Sequence, residues 1–401
     1  MTNKMKNVPE LRFPEFIEEW EEKRLGEVTI YKNGGSFENS VKNHGIFKLI
    51  TLKSVNTEGE LINSGKYIDD KSTETLCKGT LVMILSEQAP GLVGMTANIT
   101  RNNKYVLNQR VAALVPKQGI DSQFLSKLIN RNQKYFSVRS AGTKVKNISK
   151  GHVENFNFLS PNYTEQQKIG SFFSKLDRQI ELEEQKLSLL EEQKKGYMQQ
   201  IFSRQFLFEN EKGDTDYSWR NFKINDIFSK IESGNRLPKT NLVEGNIPYV
   251  IAQTTNNGVF MHISEDTLDY HKNKLKLFKK GSITISIDNP EAMFIQEMDF
   301  FTSNVMRVIH NENLKRGSHI FIMESLKKLT QSYNWSVKFS GPIIMDSTVK
   351  FPVYNDNKVN WNVVNKIGDF FNTFEIRINR QSDKIKLLEE RKKGFLQKMF
   401  V

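Results

Sequence analysis

The feature that most constrains this 401-residue chain is a segment written twice. Residues 169–202 align with residues 367–400 at a constant offset of 198 and without a gap, and 15 of the 34 positions are identical. "IGSFF" matches "IGDFF", and "LLEEQKKG" matches "LLEERKKG". A period this long is unlike a solenoid of short repeats. Weaker matches precede each copy: "WEEKRLGEV" (20–28) with "WRNFKINDI" (219–227), the turns "NGGS" (33–36) and "SGNR" (233–236), and "KGTLVM" (78–83) with "KGSITI" (280–285). The chain therefore reads as a duplicated pair, each half a variable globular segment followed by the repeated helix. The expected boundaries are a first globular domain at 1–161, a first spacer helix at 162–203, a second globular domain at 204–358 and a second spacer helix at 359–401.

The globular segments read as mixed α/β. Short runs such as "FKLITL", "GTLVMIL", "RVAALV", "IPYVIA", "GSITISI" and "NVMRVI" are rich in strand formers and bounded by turn residues. "SQFLSKLINRN" (122–132) and "HIFIMESLKKL" (319–329) carry apolar residues at helical spacing.

The repeated helix carries a heptad seam. In the first copy it runs Phe173, Leu176, Ile180, Glu183, Leu187, Leu190, Lys194, Tyr197, Ile201. In the second it runs Phe371, Phe374, Ile378, Gln381, Ile385, Leu388, Lys392, Phe395, Met399. Both are apolar except at the same two steps, which points to a shared coiled-coil seam rather than two unrelated amphipathic helices. Antiparallel pairing is expected, because parallel pairing sets Lys194 against Lys392. In the expected register Glu183 faces Lys392 and Lys194 faces Gln381. Thr164 followed by Gln167 fits a capping box, whereas the matching Asn362 is followed by Asn365 and loses it. Gly196 and Gly394 are expected to weaken the helices near their ends. A helix over 164–202 is ~57 Å long, enough to hold two readers over successive faces of a duplex whose turn is ~34 Å. The fold class is thus α+β: two duplicated mixed α/β domains joined by two long helices in an antiparallel coiled coil with pseudo-two-fold symmetry.

Hydrophobic content of 38% supports packed cores. The single cysteine, Cys77, excludes an intramolecular disulfide and a cysteine-built metal site. No long apolar run suggests a membrane span, and the first residues lack the apolar core of a signal peptide. The expectation is a soluble cytoplasmic protein. A net charge of +12 favours a polyanionic partner, since phosphate contacts release counterions.

At this point the residues support a family. The chain resembles the specificity subunit of type I restriction-modification systems over nearly its whole length. The most specific part is "PNYTEQQKIGSFFSKLDRQIELEEQKLSLLEEQKKGYMQQIF" (161–202), similar to that family's central helix, with "LRFPEFIEEWEEKRLGEV" and "YSWRNFKINDIF" similar to the leads into its two target recognition domains. The second helix departs from the pattern, opening "NWNVVNKIGDFF". The resemblance implies that each recognition domain reads one half of a bipartite site on double-stranded DNA. It implies that the helices set the spacer and dock two modification subunits, joined by two restriction (motor-nuclease) subunits. S-adenosylmethionine, ATP and Mg then belong to those partners, and this chain binds no cofactor and performs no chemistry. The alternatives are a self-sufficient DNA methyltransferase or nuclease, or a coiled-coil scaffold with basic protein- or RNA-binding domains.

Base edges are read by Arg, Lys, Asn and Gln, and phosphates are held by basic and hydroxyl side chains. Polar, basic loops between strands nominate Lys32, Ser36, Arg101, Asn103, Lys104, Gln109, Arg110 and Lys144 in the first half. In the second half they nominate Arg236, Lys239, Gln253, Thr254, Asn256, Asn257, Lys272 and Asn273. "AQTTNNG" (252–258), rich in amides and directly after a strand, is the foremost candidate, and "RNNKY" (101–105) leads in the first half. Gly142 and Thr143 are candidates for a backbone-contacting turn. "DNPEAMF" (288–294) lacks the second proline and adjacent aromatic of an adenine-methyltransferase motif and reads as a surface turn. "GELINSGKY" misses the phosphate-loop spacing. The six histidines show no ligand spacing, so no metal is expected.

Overall fold

Both repeated segments form long helices in a computed structural model that describes residues 7–87, 91–142 and 145–401. Four helices frame the fold: α1 (Ser122–Arg131), α2 (Tyr163–Phe202), α3 (Arg316–Thr330) and α4 (Trp361–Lys398). The chain divides into two units, Met1–Gln185 with Asp383–Val401, and Lys186–Ser382. Each unit therefore holds the end of one long helix and the beginning of the other.

Seven strands of the first unit build its two larger sheets: β1 (Thr29–Asn33), β2 (Phe47–Ile50), β3 (Tyr67–Ile68), β4 (Leu81–Ile84), β5 (Thr96–Asn98), β6 (Tyr105–Leu107) and β7 (Val111–Pro116). They form a four-stranded sheet, β1-β7-β4-β5, and a three-stranded sheet, β3-β2-β6, in which β2 and β6 run parallel. The second unit repeats this with β8 (Glu232–Ser233), β9 (Glu244–Val250), β10 (Val259–Ile263), β11 (Ile283–Ser286), β12 (Met293–Ile295), β13 (Phe301–Thr302) and β14 (Met306–Ile309). Its sheets are β8-β14-β11-β12 and β10-β9-β13, again with one parallel pair. Strands β4 and β11 are buried at every residue: "LVMI" is a continuous apolar run, whereas "ITIS" alternates and buries Thr284 and Ser286 along with its isoleucines. A two-stranded ribbon leads into each unit, Glu21–Arg24 on Asn157–Ser160 and Ser218–Lys223 on Thr348–Val353.

In each unit a shorter helix crosses the opening of a long one. The second residue of the repeated "IG" pair is glycine because a Cβ there has no room. A Cβ on Gly170 would lie 2.4 Å from Asp121 Oδ1, at the cap of α1. On Gly368 it would lie 1.7 Å from the Gly317 carbonyl oxygen in α3. The last aromatic of each repeat then enters its unit's core. Phe400 meets Trp20, Phe124 and Phe173, with ring centroids 6.4, 5.4 and 5.9 Å away. Phe202 meets Trp219 and Phe321 at 5.7 and 6.0 Å.

The capping assignment is corrected. The residue that caps α2 is Asn162, whose Oδ1 accepts from the Glu165 amide at 3.0 Å. Its repeat equivalent Asn360 does the same for Val363 at 3.2 Å. Both helices are thus capped, two residues earlier than the Thr164 and Asn362 expected. The departures from the opening motif are also explained. Glu165 is buried and takes a bidentate pair from Arg12, both bonds 2.7 Å. Gln166 joins the Asp121 amide to the Pro161 carbonyl oxygen. At the matching positions Val363 and Val364 are fully buried and apolar. The helices run through Gly196 and Gly394 without a break.

Every seam position from Phe173 to Ile201 and from Phe371 to Met399 is buried or half-buried. The pairing is antiparallel within each unit. In the first, Phe172 packs on Phe395 (5.1 Å between centroids), Asp177 Oδ1 lies 2.7 Å from Lys392 Nζ, and Glu183 Oε1 accepts from Lys384 at 2.8 Å. In the second, Lys194 bonds Glu375, and Tyr197 packs on Phe370 and Phe374 at 5.2 and 5.6 Å. The expected register is overturned: Glu183 meets Lys384, not Lys392, and Lys194 meets Glu375, not Gln381. Partner numbers sum to 567 for Glu183 with Lys384 and 569 for Lys194 with Glu375, against 575 for the expected pairs, so the shift is about one heptad. The physical reason is a third helix in each unit. Lys127 of α1 lies 2.7 Å from Asp177 Oδ2, and Glu324 of α3 lies 2.9 Å from Lys194 Nζ.

Candidate nucleic-acid interface

In both units the first strand ends in a glycine turn that approaches the chain following the parallel strand. Gly35 bridges Asn108 and Asn235 bridges Ser303, both in the parallel sense. A Cβ on Gly34 would sit 1.8 Å from the Asn108 carbonyl oxygen, and one on Gly234 would sit 1.8 Å from that of Thr302. The loops leaving this end of the sheet are thereby gathered at the carboxyl ends of parallel strands, where α/β folds often bind ligands.

In the first unit this gathers Ser36, Gln109 and Arg110. Ser36 and Arg110 are exposed, Gln109 is half-buried, and Arg110 holds a left-handed backbone at φ 63°. Arg101, Asn103 and Lys104 are exposed but lie in the turn before β6, at its opposite end. Asn103 has φ 54°, and its Oδ1 accepts from Thr75. Lys32, exposed on edge strand β1, pairs with Glu74 at 2.5 Å. Lys144 and Thr143 lie outside the described residues. The turn after β2, with exposed Lys53, also leaves this end and was passed over in the sequence; its strand-then-polar pattern, like that of "AQTTNNG", was the available signal.

In the second unit the turn after β9 holds Gln253, Thr254, Asn256 and Asn257. Two of its amides are engaged in building it. Gln253 Nε2 donates to the Val259 carbonyl at 2.8 Å, and Asn256 Nδ2 donates to the same oxygen at 3.1 Å. Asn256 and Asn257 both adopt φ 50°, the left-handed region asparagine tolerates best among side-chain-bearing residues. Thr254 and Asn257 are exposed on this turn.

A second group forms around Arg236. Arg236 is exposed and its guanidinium carbon lies 4.9 Å from the centre of the Tyr270 ring. The Tyr270 amide donates to the Arg236 carbonyl at 2.8 Å. Lys272 and Asn273 are exposed on the same loop, Lys272 at φ 63°. Lys239 is exposed at the start of a 3-10 turn, Lys239–Asn241, whose Asn241 Nδ2 donates to the carbonyls of Leu268 and Asp269. Asp269 is buried at the base of this loop, and the Asn273 amide foremost holds its carboxyl below the usual range. The sequence named this loop but neither Asp269 nor Tyr270 as a site residue; a buried Asx turn is not visible in composition.

"DNPEAMF" is a hairpin turn between β11 and β12, closed by Ser286 N donating to the Ala292 carbonyl at 3.0 Å. Among the described residues, no cluster of His, Cys, Asp or Glu is arranged to hold a metal ion, and no helix is long and apolar enough to cross a membrane.

A family model described as the type I restriction modification DNA specificity domain matches this chain twice, over residues 17–192 and 217–385. A type II restriction enzyme specificity subunit, S.BcgI of Heyndrickxia coagulans, is 28% identical over 144 residues. That match covers 35% of this chain and 40% of the relative, so it spans less than half the length of the curated relative. The crystal structure of a type I restriction-modification system S subunit from M. genitalium shares the fold. Its TM-score is 0.66 at 15% identity, over 98% of this chain and 99% of that one. A chain from a study of complex assembly and conformational transition of the type I R-M system matches with a TM-score of 0.54 at 13% identity, over 95% and 97% of the two chains.

Proposed function

We propose that this chain, which belongs to the type I restriction modification DNA specificity family, is the subunit that reads a two-part DNA site for a methylation and restriction complex. The observation that carries the reading is duplication at two levels. The family domain occurs twice, and each occurrence has the same pair of sheets with polar loops gathered at the carboxyl ends of a parallel pair. Two readers on one chain suit a site with two specified halves and an unread spacer between them. The net charge of +12 supplies the phosphate attraction that such binding needs.

In this reading the recognition domains are residues 1–161 and 204–358, and the segments 162–203 and 359–401 set the spacer and dock two modification subunits. Two restriction subunits complete the assembly. S-adenosylmethionine, ATP and Mg act on those partners, and this chain is noncatalytic and works in the cytoplasm. The DNA contacts of the first half come from Lys32, Ser36, Arg101, Asn103, Lys104, Gln109, Arg110 and Lys144. Those of the second come from Arg236, Lys239, Thr254, Asn257, Lys272 and Asn273, with Gln253 and Asn256 shaping the turn that presents the middle pair. The test is methylome sequencing of cells that carry this chain with its methylation subunit, together with a methylation assay on the purified chain alone. A bipartite, gapped adenine motif and an inert isolated chain are expected. An ungapped motif, or methyl transfer by the chain alone, overturns the reading.

A further inference from the structure

The loop around Tyr270 combines a costly interior with an exposed tip. Asp269 is only 6% exposed, yet its carboxylate serves three donors. Oδ1 accepts the amides of His271 and Asn273 at 2.8 and 2.9 Å, and Oδ2 accepts Asn235 Nδ2 at 2.9 Å. Asn235 in turn accepts the Lys276 amide at 3.0 Å, so both ends of the loop are tied to the strand end that carries Arg236. A carboxylate withdrawn from water is tolerated only when its oxygens are bonded in this way. What the arrangement holds in place is not core. Tyr270 is 56% exposed, and Arg236, His271 and Lys272 are exposed beside it.

Arg236 has a repeat counterpart. Each follows directly on the bridged residue of its glycine turn, and the counterpart in the first unit is Ser36. The backbone device is kept and the presented side chain is changed, as expected where two halves read different sequences. The Tyr270 ring lies within cation–π range of the guanidinium. It thereby restricts the orientation of a planar fork whose commonest base-specific partner is guanine, through O6 and N7 in the major groove.

We infer that Arg236 stacked on Tyr270 is a guanine-reading element of the second unit, and that Asp269 is the positioning residue that holds it. This rests on the reading of that unit as a DNA half-site reader. The bound species is duplex DNA; single-stranded stacking on Tyr270 is the competing outcome.

The experiment uses the assembled methylation complex and duplex libraries randomised in one half-site at a time. With the native chain, the half-site assigned to the second unit should contain a guanine favoured about 5- to 150-fold over other bases. Arg236→Lys and Tyr270→Leu should each bring that preference to within a few-fold at that one position, leaving the other half-site unchanged. Tyr270→Phe keeps the ring and should keep the preference. Asp269→Ala should relax the same position. If it does not assemble, the exposed Tyr270 variants still decide the matter. A native complex without a bipartite motif refutes the underlying reading. A bipartite motif with no guanine in that half, or with Tyr270→Leu leaving preference intact, or with a uniform loss on all sequences, refutes this inference alone. A stronger gain on single-stranded than on duplex DNA also refutes it.

Discussion

Replacing Lys194 by methionine should cost the second unit far more than replacing its repeat equivalent, Lys392, costs the first. Lys194 Nζ lies between Glu324, 2.9 Å away, and Glu375. Burial alone draws its pKa down, but the two carboxylates outweigh it and raise it, while Glu375 is held low in return. The Glu324 side chain is 3% exposed, and without Lys194 its remaining cation is Lys327 at 3.6 Å. Breaking a buried pair by removing one partner typically costs about 3–5 kcal/mol, because the charge left behind is desolvated and uncompensated. Asp177, the partner of Lys392, is 26% exposed and keeps Lys127 at 2.7 Å. Water and that second lysine should hold the Lys392→Met loss to about 1 kcal/mol. Native-state hydrogen exchange resolves the two units separately, through the amides of α3 and α1. The expected result is α3 exchange faster by about 10²- to 10⁴-fold in Lys194→Met and α1 exchange faster by less than tenfold in Lys392→Met. Adding Glu324→Leu to Lys194→Met should recover most of the loss, since the orphaned carboxylate is gone. Equal effects of the two lysine substitutions, or no recovery in the double variant, would show that desolvation of Glu324 is not the source.

Three further outcomes can be checked on the same protein. A Cβ on Gly196 or Gly394 meets no atom within 4 Å, so Gly→Ala at either should stabilise by ~0.5–1 kcal/mol in urea titrations, whereas Gly368→Ala, driven against the Gly317 carbonyl, should destabilise by ~1–3 kcal/mol. Phe400→Ala should destabilise the first unit by ~3–5 kcal/mol and leave exchange in α3 unchanged. Burial pushes the His319 imidazole down to about 4. Between its ordinary value and that one, the unfolded chain binds a proton that the folded unit refuses. Stability is therefore present above about pH 6.5 and falls as pH drops toward 4, by up to ~3 kcal/mol. Of the four tryptophans, Trp219, Trp335 and Trp361 lie in the second unit and report its unfolding, and His319→Gln should flatten that acid slope.

The repeat made the helices and the duplicated strand plan legible, because identity at a fixed offset and heptad spacing are local properties of the text, and the antiparallel sense followed from the two lysines that parallel pairing would oppose. Cap positions failed for a related reason. Thr164 and Gln167 satisfy the spacing of a capping box, but the helix already begins at Tyr163 with Asn162 capping it through the Glu165 amide, and the repeat would have shown an asparagine at both places. The amide-rich turn was legible as a turn, but not which of its amides build it. Gln253 and Asn256 direct their amides to Val259, so the residue types that suit a base edge also suit a left-handed turn. Asp269 carried no signal at all, since what distinguishes it is burial under a loop.

The register error has a more general cause. The two polar breaks in the seam were matched against each other because they were the polar steps of an otherwise apolar heptad. Lys194 and Lys392 are instead where a third helix joins the pair, α3 through Glu324 and α1 through Lys127 and Asp177. Glu324 stands 130 residues from Lys194 (324 − 194) and outside the repeated segment, so no inspection of the seam alone could supply it. The break recurs because the junction recurs. A heptad seam that buries only two helices can be apolar throughout, while one that must also seat a globular domain needs a directional contact at the crossing. Lys194 supplies it directly through Glu324, and Lys392 through Asp177, which Lys127 of α1 also holds, so this polar step serves domain attachment as well as the pairing of the two long helices.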